Sequence, residues 1–203
     1  MKRVAVLDYG AGNVYSVCRA LEKAGASVVL TGDAEVLRAA DGIVFPGQGS
    51  AASAMEGLNA SGLSDVLREH VRADRPLLGV CLGMQIFFGA NEEGPSRGLE
   101  LLPGEVVLMR GERRVPHMGW NNLRVCNGSQ LLRGIPDGSY AYWAHSYQVV
   151  PSEQSDIIAT SDYEGEVVAI VGRGNLVGTQ FHPEKSGEVG LRMYENFVEM
   201  LGR

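Results

Sequence analysis

Leu77-Leu78-Gly79-Val80-Cys81-Leu82-Gly83-Met84-Gln85 is the stretch that decides how this chain folds. Residues 77–80 follow the breaker Pro76 as a short apolar run, which reads as a buried strand. Residues 82–90 place Leu82, Ile86 and Gly89 on one helical face, so the spacing predicts a helix there. Cys81 stands at the corner between the two. Gly79 and Gly83 flank it two residues away on either side, in the pattern Gly-x-Cys-x-Gly. That is the cysteine version of a nucleophile elbow, where a side chain at either glycine would strike the neighbouring segment. The helix N-terminus that follows favours the thiolate. A buried cysteine between two packing glycines has the same spacing, and the stretch alone leaves both readings open.

The composition is that of one α/β domain spanning residues 1–203, with 45% hydrophobic residues. The net charge of −6 comes from acidic and basic residues mixed along the chain, which argues against phosphate-backbone binding. Cys18, Cys81 and Cys126 form no Cys-x-x-Cys pair. Neither a disulfide framework nor a metal site is expected, and a reducing compartment fits. The most apolar window, residues 77–90, is shorter than the roughly 20 residues a membrane helix needs. The apolar run at residues 4–7 stops at Asp8, unlike a signal peptide. A soluble, cytoplasmic protein without a cofactor is the expectation.

Towards the N-terminus, residues 3–7 read as a strand and Tyr9-Gly10-Ala11-Gly12-Asn13 as a turn. Val14, Val17, Cys18 and Leu21 then recur at helical spacing, with Asn13 as the N-cap. This is the first unit of a doubly wound, mostly parallel sheet flanked by helices. Strands are also expected at 27–30 and 42–45. The turn Pro46-Gly47-Gln48-Gly49-Ser50 after the latter is an ordinary loop or a source of backbone N–H groups for an oxyanion. A helix is read over 61–73, in which His70 is structural.

Towards the C-terminus, strand-like runs at 105–109, 123–125, 140–150, 156–159, 167–171 and 176–181 are separated by turn signals such as Asn127-Gly128. They predict antiparallel strands added to the parallel core. A closing helix over 187–201 puts Val189, Met193, Phe197 and Leu201 inward.

A cysteine nucleophile needs a base. His182 ends an apolar strand in Gln180-Phe181-His182-Pro183-Glu184, and Pro183 stops the ladder there. On an extended backbone Glu184 points the same way as His182, as the third member of a triad does. His145 lies within an aromatic strand and His117 in a loop after Pro116; both read as structural.

Gly79–Gln85 together with Phe181-His182-Pro183-Glu184 resembles the class I, triad-type glutamine amidotransferases. Tyr9–Asn13, Pro116-His117-Met118-Gly119-Trp120-Asn121 and His182-Pro183-Glu184-Lys185-Ser186 narrow the resemblance. They are similar to the branch of that class that serves imidazole glycerol phosphate synthases in histidine biosynthesis, over essentially the whole chain. The resemblance implies that Cys81 attacks glutamine, His182 carries the proton and Glu184 orients His182. It implies an oxyanion hole from the N–H of Leu82 and from the loop at Gln48 and Gly49. It assigns substrate contacts to Gln85 and to the backbone of His145, Ser146 and Tyr147. It further implies a (β/α)8-barrel synthase partner, facing Asn13, Met118, Trp120, Tyr142 and Lys185, that receives ammonia and makes imidazole glycerol phosphate and AICAR. Gln48 departs from the valine often found in that loop, although a backbone donor does not depend on the side chain.

Two other classes of function share this scaffold. A free-standing cysteine hydrolase of γ-glutamyl compounds would have no use for the Trp120 segment or Lys185. A non-catalytic module would be expected to lack one of Cys81, His182 and Glu184, and all three are present.

Overall fold

The computed structural model describes residues 1–10, 14–94, 97–111 and 114–202. The strands are β1 (Arg3–Leu7), β2 (Ser27–Thr31), β3 (Gly42–Gly47), β4 (Leu77–Cys81), β5 (Ala90–Asn91), β6 (Gly104–Leu108) and β7 (His117–Asn122), then β8 (Arg124–Val125), β9 (Tyr140–His145), β10 (Tyr147–Pro151), β11 (Ile157–Asp162), β12 (Glu166–Arg173) and β13 (Leu176–Thr179). The helices are α1 (Val14–Lys23), α2 (Ala34–Ala39), α3 (Ala51–Ala60), α4 (Leu63–Arg72), α5 (Leu82–Gln85) and α6 (Gly187–Met200). The expected cap Asn13 lies outside the described residues.

The main sheet has the order β2-β1-β3-β4-β13-β12-β11-β8. Its first five strands run parallel and the remaining pairs are antiparallel. β1, β3 and β4 are almost wholly apolar and buried because both faces of the sheet are covered. One face packs on α1 and α6 through Leu21, Phe197 and Leu201; the other packs on α3 and α4 through Leu58 and Leu67. Each such fully buried side chain contributes about 1.5–3 kcal/mol.

The sequence-based expectations need five corrections. α5 is one turn long, not a helix over 82–90. The carbonyls of Ile86, Phe87 and Gly89 accept N–H bonds from Leu99, Leu101 and Gly98, so a returning segment replaces the helical ladder. The helix read over 61–73 begins only at Leu63, because Gly62 takes a left-handed φ of 71° between α3 and α4. His117 opens a strand, β7, paired with β9, rather than lying in a loop. β13 runs parallel to β4, not antiparallel. Residues 140–150 divide into β9 and β10, which belong to two small separate sheets, β7-β9 and β10-β6-β5.

No helix among the described residues is long and apolar enough to cross a membrane.

Candidate active site

Register brings the site together. In the β3–β4 pair Gly47 lies opposite Cys81, so the loop after β3 leaves the sheet beside the cysteine. In the β13–β4 pair Thr179 lies opposite Val80, so the segment Gln180-Phe181-His182 leaves along the same edge. Residues about a hundred positions apart therefore meet at the carboxyl ends of neighbouring parallel strands, where open α/β sheets bind their ligands.

Cys81 has φ 56° and ψ −109°, a conformation rare for any residue but glycine. Its surroundings enforce it. A Cβ on Gly79 would come within 2.7 Å of the Gly83 backbone, and one on Gly83 would run into the carbonyl oxygen of Phe45. At Gly47 an added Cβ would approach Leu82 Cβ to 2.6 Å. The three glycines let two strands and a helix turn converge on the cysteine.

His182 and Glu184 are both buried, and His182 Nδ1 lies 2.9 Å from Glu184 Oε1. The expected route to this contact was an extended backbone. The structure instead has a 3-10 turn over Pro183–Lys185, closed by the Lys185 N–H on the His182 carbonyl. Proline at the first position of a helical turn sacrifices no bond, which is why the chain coils there. The His182 N–H donates to the Tyr142 carbonyl at 2.9 Å, and the Ser186 hydroxyl donates to the His182 carbonyl at 2.7 Å. With Nδ1–H directed at Glu184, Nε2 is left for Cys81. Burial lowers the imidazole pKa, but hydrogen bonds and charge from Cys81 and Glu184 outweigh it and raise the value to about 9. The arrangement favours the protonated imidazolium of His182.

A cavity of about 370 Å³ opens on this group. Gln48, Gly49 and Leu82 line it on the β3–β4 side; Gln85, His145, Ser146 and Tyr147 line it opposite. Met118 and Lys185 stand at its mouth. The Gln48 N–H is engaged with the Tyr9 hydroxyl at 3.3 Å, so in this conformation it is not a free donor to the cavity. The Tyr147 carbonyl is likewise occupied, by Gln85 Nε2 at 3.1 Å and His145 Nδ1 at 2.7 Å. The Ser146 carbonyl accepts from the Met109 N–H.

Trp120 lies opposite Tyr142 in the β7–β9 ladder, and Lys185 Nζ sits 5.7 Å from the Tyr142 ring. Met118 and Trp120 are 64% and 57% exposed, so four of the five residues named for a partner share one face, of which Met118 and Lys185 also line the cavity. Asn13 lies outside the described residues.

Sequence reading passed over Gln180, whose Nε2 is 3.7 Å from Cys81 Sγ. The two-residue alternation applied backwards from His182 would have pointed to it. It also assigned no structure to Glu93, which lines the cavity and accepts the Ala51 N–H at 2.6 Å. Among the described residues no group of three or more His, Cys, Asp or Glu could hold a metal ion.

The family model for class-I glutamine amidotransferases matches residues 5–201. A Geobacillus kaustophilus protein described as imidazole glycerol phosphate synthase subunit HisH is 48% identical over 202 residues, covering 96% of this chain and 95% of its own. A protein of the same description from Synechococcus sp. (strain JA-2-3B'a(2-13)) is also 48% identical, over 99% of this chain and 94% of its own. A solved glutamine amidotransferase superimposes with a TM-score of 0.78 over 97% of both chains; at 20% identity it speaks for the fold alone.

Proposed function

The chain belongs to the class-I glutamine amidotransferases, and we propose how its residues divide the reaction. It is a glutaminase subunit that hydrolyses glutamine and supplies ammonia to a synthase subunit in histidine biosynthesis. In our reading the whole chain works as one glutaminase domain.

The Cys81 thiolate attacks the side-chain amide carbon of glutamine and forms an S–C bond, while the carbonyl electron pair moves onto oxygen. The Leu82 N–H holds that oxyanion, with a second donor from the loop at Gln48 and Gly49. Gln48 can be that donor only after its N–H leaves the Tyr9 hydroxyl. Collapse re-forms the carbonyl and breaks the C–N bond, and His182 passes its proton from Nε2 to the departing ammonia. Water activated by the now neutral His182 then cleaves the γ-glutamyl thioester and returns the thiolate. Glu184 holds the tautomer of His182 throughout. Gln85 and the backbone at His145, Ser146 and Tyr147 position the substrate.

Ammonia released into water is protonated and lost as a nucleophile. We place a (β/α)8-barrel synthase over Met118, Trp120, Tyr142 and Lys185, so that the cavity empties into the partner rather than into solvent. Its products in this reading are imidazole glycerol phosphate and AICAR, and its compartment is the cytoplasm.

The observation that carries the reading is that buried Cys81 and His182 line one cavity, with the Glu184 carboxylate 2.9 Å from the imidazole Nδ1. Ammonia release from glutamine, measured with and without the synthase, tests it. Release should be low alone, rise with synthase and its nucleotide ligand, and vanish in Cys81→Ala while the complex still forms. A Cys81→Ala protein that keeps most of its activity would remove Cys81 as nucleophile.

A further inference from the structure

We propose that Gln180 is a catalytic residue whose side-chain N–H is a fixed hydrogen-bond donor to the Cys81 sulfur, locked in place by Gln85. The proposal deepens the assignment of Cys81 as nucleophile and rests on it.

The orientation of the Gln180 amide follows from its neighbours. The Tyr147 carbonyl can only accept, and it faces one end of the Gln85 side chain at 3.1 Å. That end must be the NH2 group. The same nitrogen also lies 3.1 Å from Gln180, so the Gln180 atom facing it must be the acceptor, Oε1. The remaining amide atom, Nε2, then faces Cys81 Sγ at 3.7 Å. A flipped Gln180 would oppose two NH2 groups and direct its carbonyl oxygen at the sulfur lone pairs. Gln180 is fully buried, and its backbone N–H is tied to the Ala169 carbonyl at 2.9 Å. Its side chain is therefore screened from water and restrained at both ends.

A donor in this position discriminates between states of the sulfur. An N–H bond to a charged acceptor is about twice as strong as one to a neutral acceptor, so it favours thiolate over thiol. A thioester sulfur accepts poorly, so the bond strengthens again as hydrolysis expels the thiolate. His182 cannot supply this support throughout, because its Nε2 proton goes to the leaving ammonia. Gln180 does not titrate and stays a donor at every step.

Alkylation of Cys81 by iodoacetamide reads the sulfur without any glutamine chemistry. The background is the full chain carrying Cys18→Ala and Cys126→Ser, with the labelled peptide identified by mass. Gln180→Met keeps the length and loses the donor; its alkylation at pH 7 should be about tenfold slower. In complex with the synthase, kcat for glutamine hydrolysis should fall by a similar factor with KM within twofold. Gln180→Glu, close in shape, should lose more, because a carboxylate then faces the sulfur. Alkylation of Gln180→Met within twofold of its parent overturns the proposal. If that variant does not fold, Gln180→Glu alkylated at the parental rate overturns it instead. Hydrolysis that survives in Cys81→Ala would mark failure of the nucleophile assignment, a separate outcome.

Discussion

The imidazole Nδ1 of His182 lies 2.9 Å from Oε1 of Glu184, although a single proline separates the two residues. The contact is made by coiling the chain after β13, so the carboxylate beside the imidazole is local, while Cys81 comes from the end of β4.

Glu184→Gln should keep the fold and lose the anion that fixes the imidazole and stabilises its charged form. Glutamine hydrolysis in the complex is expected to fall on the order of 10²–10⁴-fold, mainly in kcat. A variant within threefold of the native rate would show that Glu184 does not orient His182.

Gly83→Ala adds a methyl group where the Phe45 carbonyl already stands. Strand β3 or the elbow must shift, which should cost about 1–3 kcal/mol in urea unfolding and displace the nucleophile. Native stability together with native activity would mean that the close approach of β3 to the elbow is not needed.

Stability should respond to pH through three buried histidines. Burial, the largest influence on each, holds His70 at about 4 and His145 at about 3, so both stay neutral in the folded chain below pH 6.5. The unfolded chain takes up those protons first, so stability falls as pH drops below 6.5. For His70 alone the loss is about 2 kcal/mol by pH 5. His182 acts in the opposite sense: raised to about 9, it contributes stability that is complete below pH 6.5 and lost as pH rises through 9. Urea unfolding at pH 5, 7 and 9.5 should show the maximum at pH 7. In His70→Leu the acid limb should be shallower; an unchanged acid limb would exclude His70 as its source.

Trp120→Ala removes an exposed aromatic from the face formed with Met118, Tyr142 and Lys185. Affinity for the synthase should drop by about tenfold or more. Chain stability should move by less than about 0.5 kcal/mol, as expected for an exposed position. Titration calorimetry against the synthase checks both the direction and the size, and undiminished affinity would place the interface elsewhere.

The features legible from the residues alone are local in origin. Strand, corner and flanking glycines around Cys81 are legible because backbone sterics act within a few residues. The parallel core is legible because strands covered on both faces must be apolar throughout. The His182–Glu184 pairing is legible for the same short-range reason, although through a different backbone path than alternation suggests. Tertiary structure decided everything that depends on a distant hydrogen-bond partner. α5 stops after one turn because residues 98–101 take the carbonyls of Ile86, Phe87 and Gly89 just beyond it. His117 joins a strand because β9 offers it a ladder and because Tyr163 and Trp143 stack on its ring. The Gln48 N–H turns to Tyr9, 39 residues away, and Gln180 reaches a sulfur 99 residues away. A donor's partner is set by proximity in space, and proximity between segments this far apart exists only once the sheet has formed.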